Sequence, residues 1–137
     1  MTTLEHGTTI TLDVTVTLEH LASRLELDSG ERFPGVLSTP WLIAHLERAA
    51  AKALHPVLQE GQLSVGSSVV FEHLAPTPPG AQFTAHAKFT GRDGPLYLFD
   101  IWADDAGGVI GKGSHARAVV PGLAVEKRAL KRTGQAN

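Results

Sequence analysis

The 137-residue chain contains no cysteine, so it can form neither a disulfide framework nor a thiolate metal site, and it fits a reducing compartment. Net charge is also scarce. A formal −2 at pH 7 leaves no basic stripe of the kind nucleic-acid binding requires, and no nucleic-acid partner is expected. No apolar run approaches the roughly 20 residues that span a bilayer, so no membrane association is expected. The opening MTTLEHGTTITLDVTVTLEH alternates and carries early acids, unlike a signal peptide, and a cytoplasmic location follows as the expectation. The seven histidines show neither HExxH nor HxH spacing, so no metal site is expected. The glycines of GGVIGKG do not join a strand to a helix and are no dinucleotide fingerprint. Internal repeats, low-complexity tracts and a second domain are absent as well.

What remains is one domain, 1–137, long enough for a single core. Residues 8–18 place Ile10, Leu12, Val14, Val16 and Leu18 on one face, the period-2 pattern of a half-buried strand. Residues 19–36 read as a short helical turn and a Gly/Pro-punctuated loop. Residues 40–54, PWLIAHLERAAAKAL, form the one strong helix, capped by Ser38 or Thr39, opened by Pro40 and stopped by Pro56. Leu42, Ile43, Leu46, Ala49, Ala50 and Ala53 line one side, with His45, Arg48 and Lys52 expected opposite. Strands are expected at 62–74, 81–91, 96–104 and 109–120, separated by the turn sequences APTPPG, RDGP and DAGG. The ordered core is about 8–122, and the basic tail 123–137 is expected to fray. Consecutive strands with short turns pair antiparallel, giving an α+β fold with one long helix on a sheet of about five strands. Such a sheet leaves edges and apolar surface to cover, so a homodimer is expected.

One residue breaks the helix pattern. Glu47 lies about 90° from the middle of the apolar stripe, between Ile43 and Ala51, with no helical ion pair to support it. It is either an edge carboxylate reaching water or a partly desolvated general base. Thr39 is most simply an N-cap, yet it also lies beside a positive helix terminus that favours developing negative charge. His73 ends an apolar strand, either as a hydrogen-bonded structural residue or as a catalyst.

Read together, Thr39, Glu47 and His73 resemble the catalytic set of the hotdog-fold acyl-CoA thioesterases similar to fluoroacetyl-CoA thioesterase. TPWLIAHLERAA resembles the helix signature of that family, HLAPTPPG its strand-to-turn signature, and GVIGKGSHARAVV its closing strand. The resemblance runs from about Phe33 to Val120. It implies a hotdog fold, hydrolysis of an acyl-CoA to free acid and coenzyme A, and catalytic roles for Thr39, Glu47 and His73. It also implies substrate contacts for Gly66, for Phe33 over the acyl pocket, and for Arg117, which is either a substrate-side charge or a pairing partner for a carboxylate. Phe33 reads equally as a core residue. Coenzyme A is part of the substrate, and no separate cofactor is implied. The resemblance breaks after Thr39, where the family has Gly and this chain has Pro40 and Trp41. It therefore carries the reaction type and leaves the acyl group open.

Thr39 and Glu47 stand about 12 Å apart along an ideal helix, too far to meet over one carbon. A site shared between two antiparallel protomers is expected. Hydrolysis would run either by Thr39 attack with His73 as base, or by water activated by Glu47 or His73 while Thr39 positions the substrate. Backbone N–H groups at the helix start would polarise the carbonyl. Lys112, Arg117 or the tail's Lys127, Arg128, Lys131 and Arg132 would meet the coenzyme A phosphates, although a solvated tail is the plainer account of the last four. Two other activities fit the same residues less closely: an acyl-CoA hydratase or dehydratase, and a non-catalytic acyl-CoA-binding protein.

Overall fold

The computed structural model describes residues 3–135. Its elements run β1 (Thr9–Thr15), α1 (Thr39–Leu54), β2 (Gln62–His73), β3 (Gln82–Asp93), β4 (Leu96–Asp105), β5 (Gly108–Pro121) and α2 (Gly122–Arg132). The strands form one sheet in the order β1-β3-β4-β5-β2, with every neighbouring pair antiparallel. β1 and β2 are consecutive strands in the chain yet occupy opposite edges, so the segment between them, α1 included, must cross one face of the sheet. Tight turns join the middle strands. Asp93 pairs with Leu96, and Gly94 takes φ +58° in the turn between them, a conformation glycine adopts without steric cost.

Alternation decides which face each strand buries. Phe83, Ala85, Ala87 and Phe89 of β3 and Phe99, Ile101 and Ala103 of β4 point into the core, while Thr84, Lys88 and Asp100 point out. From the helix come Leu42, Leu46, Ala49, Ala50, Ala53 and Leu54, all at 2% exposure or less. Alanines on both sides let α1 lie close to β3, and the leucines fill the remaining space. Each fully buried leucine contributes about 2 kcal/mol of transfer free energy. The five strands and the helix expected from the sequence are all present, within a few residues at each end.

Two features differ from expectation. His45 is buried at 6% exposure, not on a solvent face. The short helical turn expected over 20–27 appears as 3-10 turns at Leu18–His20 and Ala22–Leu25, which lay His20 over α1. The His20 and His45 Nε2 atoms lie 3.3 Å apart, and the His45 ring packs edge-on against Phe83. The second difference is α2, where a fraying tail was expected. Leu, Ala, Glu, Lys and Arg are strong helix formers, and Gly122 N–H donates to the Gly61 carbonyl at 3.0 Å, anchoring the first turn. No residue of α2 is buried. Among the described residues, no helix is long and apolar enough to cross a membrane, and no group of three or more potential ligands is placed to hold a metal ion.

Candidate functional site

Two adjacent hydroxyls open α1 and do different things. Ser38 is the N-cap, its Oγ accepting from Trp41 N–H at 3.2 Å. Thr39 is thereby released from capping, and its Oγ1 lies 2.7 Å from His73 Nδ1. His73 is the last residue of β2, held opposite Gly111 of β5. Burial lowers the His73 pKa, opposed in part by the nearby Ala75 backbone, which favours a neutral ring able to take a proton. Its Nε2 is buried without a hydrogen-bond partner among the described residues. Thr39 and His73 line a cavity of about 360 Å³, walled also by Pro34, Val36, Leu74 and Pro76. At Ala75 and Pro76 it adjoins a groove of about 770 Å³ that runs past Phe83 and Asp104.

The helix start offers less to a substrate carbonyl than the sequence promised. Pro40 has no N–H, Trp41 donates to Ser38 Oγ, and Leu42 donates to the Ser38 carbonyl at 3.0 Å. Among the described residues, that leaves the Thr39 N–H as the uncommitted donor of the first turn.

Glu47 belongs to a second cluster, two turns further along α1. Its Oε1 lies 3.3 Å from Arg117 Nη1 and 3.9 Å from His115 Nε2, both on β5. Arg117 is buried at 7% exposure and is held from three directions. Nε donates to Ser64 Oγ at 3.0 Å, Nη2 to the Ser64 carbonyl at 2.9 Å, and Nη1 also to His115 Nε2 at 3.2 Å. Burial pulls the Arg117 pKa down from its ordinary value, and the Glu47 carboxylate opposes the change. Gly66 pairs with Arg117 in register, and a Cβ there would meet Glu47 Oε1 at 2.5 Å. The carboxylate thus lies over bare backbone.

Thr39 therefore sits with His73, and Glu47 with Gly66 and Arg117, as two groups at different points of one helix. Of the two roles open for Arg117, pairing with a carboxylate is the one displayed. Gly66 makes room for Glu47. Phe33 is 44% exposed, not a core residue, and its neighbour Pro34 lines the cavity. Trp41 packs against the rings of His20 and His45 and takes no part in the cavity wall. Sequence reasoning missed Ser64 and His115. The available signal was position: His115 stands two residues before Arg117 on one strand, hence on the same face.

Comparison with known proteins places this arrangement. Residues 16–122 match the family described as fluoroacetyl-CoA-specific thioesterase, FlK. The fluoroacetyl-CoA thioesterase of Streptantibioticus cattleyicolor is 34% identical over 88 residues, 64% of this chain and 63% of that protein. The alignment thus spans under two thirds of that relative's length. A mutant of the fluoroacetyl-CoA-specific thioesterase FlK, solved in complex with fluoroacetate and CoA, is 29% identical with a TM-score of 0.83, covering 88% of this chain and 98% of its own. A hot-dog-like protein from Thermanaerovibrio acidaminovorans, 24% identical with a TM-score of 0.81 over 96% of this chain and 94% of its own, shares the fold. The helix lying on a five-stranded antiparallel sheet is thus a hotdog fold, and the chain belongs to the fluoroacetyl-CoA-specific thioesterase family.

Proposed function

We propose that the protein hydrolyses an acyl-CoA thioester to free acid and coenzyme A, using Thr39 and His73 of one protomer and Glu47 of its partner. The observation that carries this is the 2.7 Å contact between Thr39 Oγ1 and His73 Nδ1 at the wall of a cavity. Threonine is a weak nucleophile, and attack requires a base already in contact with its hydroxyl. That contact favours the route through Thr39. His73 Nδ1 takes the Oγ1 proton as Oγ1 attacks the thioester carbon. The thiolate of coenzyme A then leaves and receives that proton. Water attacks the acyl-threonine ester, Glu47 taking its proton and returning it to Thr39 Oγ1 as the ester bond breaks and the acid departs. The developing oxyanion sits near the Thr39 N–H. Water and side chains suffice for this sequence, with no separate cofactor.

The two-protomer site follows from β2. One side of this strand pairs with β5, and the other is a sheet edge carrying Leu63 at 56% exposure and Val70 at 71%. An apolar unpaired edge invites a second strand. Two β2 strands paired antiparallel about an axis at Val70, with Ser67 bulged out between Gly66 and Ser68, bring Gly66 of one protomer opposite His73 of its partner. Glu47 lies on Gly66 and Thr39 on His73, so each such pairing assembles one complete set, and the two-fold axis makes two. The lysine- and arginine-free cavity wall leaves the coenzyme A phosphates to cations elsewhere, with the exposed Lys127, Arg128, Lys131 and Arg132 of α2 as candidates. The enzyme acts as a cytoplasmic homodimer.

The test is thiol release from a panel of short and aryl acyl-CoAs, with Glu47→Ala and His73→Ala in parallel. Release by the wild type that both variants lose supports the reading and identifies the acyl group. Loss of an enoyl double bond without thiol release would indicate a hydratase, and coenzyme A binding without turnover a binding protein. A fully active monomer would overturn the shared site.

A further inference from the structure

His115 belongs to none of the steps above, yet its side chain is fully buried beside Glu47. Its two ring nitrogens meet opposite demands. Nδ1 lies 2.8 Å from the Ser68 carbonyl oxygen, which only accepts, so Nδ1 carries the proton. Nε2 lies 3.2 Å from Arg117 Nη1, which only donates, so Nε2 presents a lone pair. One neutral tautomer satisfies both. Burial and the Arg117 charge lower the His115 pKa, outweighing the Ser68 carbonyl and Glu47, which raise it.

The consequence falls on Arg117 and through it on Glu47. Ser64 holds the guanidinium at Nε and Nη2, and Nη1 is shared between His115 and Glu47. Glu47 is attached by Oε1 alone, with no hydrogen bond to Oε2 among the described residues. A carboxylate held by one oxygen keeps its direction only if the donor cannot swing. The His115 lone pair supplies that restraint at Nη1, the one nitrogen Ser64 does not hold. A protonated ring would instead turn a second donor on Glu47 Oε1 and compete with Arg117.

We propose that His115 is a positioning residue: acting through Arg117, it fixes Glu47 so that Oε2 is presented to the reacting water. The catalytic consequence rests on the thioesterase reading, whereas the arrangement itself rests on the hydrogen-bond geometry.

A double-mutant cycle tests it in the full-length protein. His115→Leu should lower kcat about 10- to 30-fold with KM within about twofold, while His115→Gln, which keeps an acceptor for Arg117, should restore kcat to within about threefold. In the Glu47→Gln background, His115→Leu should cost less than about twofold more, because its effect passes through Glu47. A full multiplicative loss there, or no rescue by glutamine, would overturn the proposal. Nitrogen-15 NMR of the histidine rings gives an answer that needs neither turnover nor a folded leucine variant. A neutral Nδ1–H tautomer for His115 at pH 7 supports the arrangement, and an Nε2–H or charged ring overturns it. Absence of thiol release from the wild type would remove the thioesterase reading, while the ring tautomer would still decide whether His115 is the acceptor for Arg117.

Discussion

The two candidate functional groups along α1 are built on opposite principles. At the N-terminal end, exposed Thr39 is bonded through Oγ1 to His73, whose Nε2 lies beside a cavity without a partner among the described residues. Two turns on, Glu47, its side chain 38% exposed, meets a buried arginine whose other donors are matched to Ser64 and His115. The first arrangement leaves a hydroxyl free to change partners, as a nucleophile must. The second fixes a carboxylate in place, as a base acting on water requires. Reactivity and rigidity are thus separated along one helix and rejoined, in the proposed dimer, across the two-fold axis.

The sharpest way to break this comparison is to remove the open end. Thr39→Ala and His73→Ala should each lower kcat/KM about 1,000-fold or more, with thermal unfolding changed little, because Thr39 is exposed and His73 is half-buried at the very end of its strand. The fixed end should answer differently. Arg117→Leu leaves Ser64 and Glu47 without their donor and should destabilise the fold by about 3 kcal/mol, measured by urea titration.

A third test uses pH. His45 has its pKa lowered to about 4, chiefly by burial and further by His20 and Arg48, against 6.5 for a free ring. The unfolded chain therefore binds a proton that the folded chain refuses. The stability of the neutral ring is complete above pH 6.5 and is lost as pH falls from there toward 4. Between pH 7 and 5 the wild type should lose about 2 kcal/mol more than a His45→Gln variant. His73, lowered also, should stay active as a base below the ordinary histidine pKa, so kcat/KM should fall only at more acid pH. The smallest effect concerns the neighbouring hydroxyl. Ser38→Ala should cost about 1 kcal/mol of stability and leave kcat within about threefold, since Ser38 caps and Thr39 is the proposed nucleophile.

Much of this was legible beforehand, and the rest was hidden for identifiable reasons. The strands showed through because β-branched and aromatic residues alternate, and α1 showed through its leucine and alanine stripe. His45 was misplaced because helical periodicity cannot report that residues 18–25 fold back over it. α2 was hidden because dense charge without an apolar stripe reads as a solvated tail, although its residues favour helix. Family resemblance grouped Thr39, Glu47 and His73, and helical geometry alone warned that they would not converge in one chain. The Arg117 contact to Glu47 joins β5 to α1, and only the sheet register brings those positions together.

The bare backbone at Gly66 has a practical consequence. A single methyl group there cannot coexist with Glu47 in its present place, while the φ of Gly66 imposes no glycine-only conformation and the Thr39 cavity of the same protomer lies elsewhere. Gly66→Ala is therefore the natural trap for the acyl-enzyme. Such a protein should retain the cavity and the Thr39–His73 contact but release acid slowly, so that the acyl-threonine ester persists long enough to be crystallised and its acyl group seen directly.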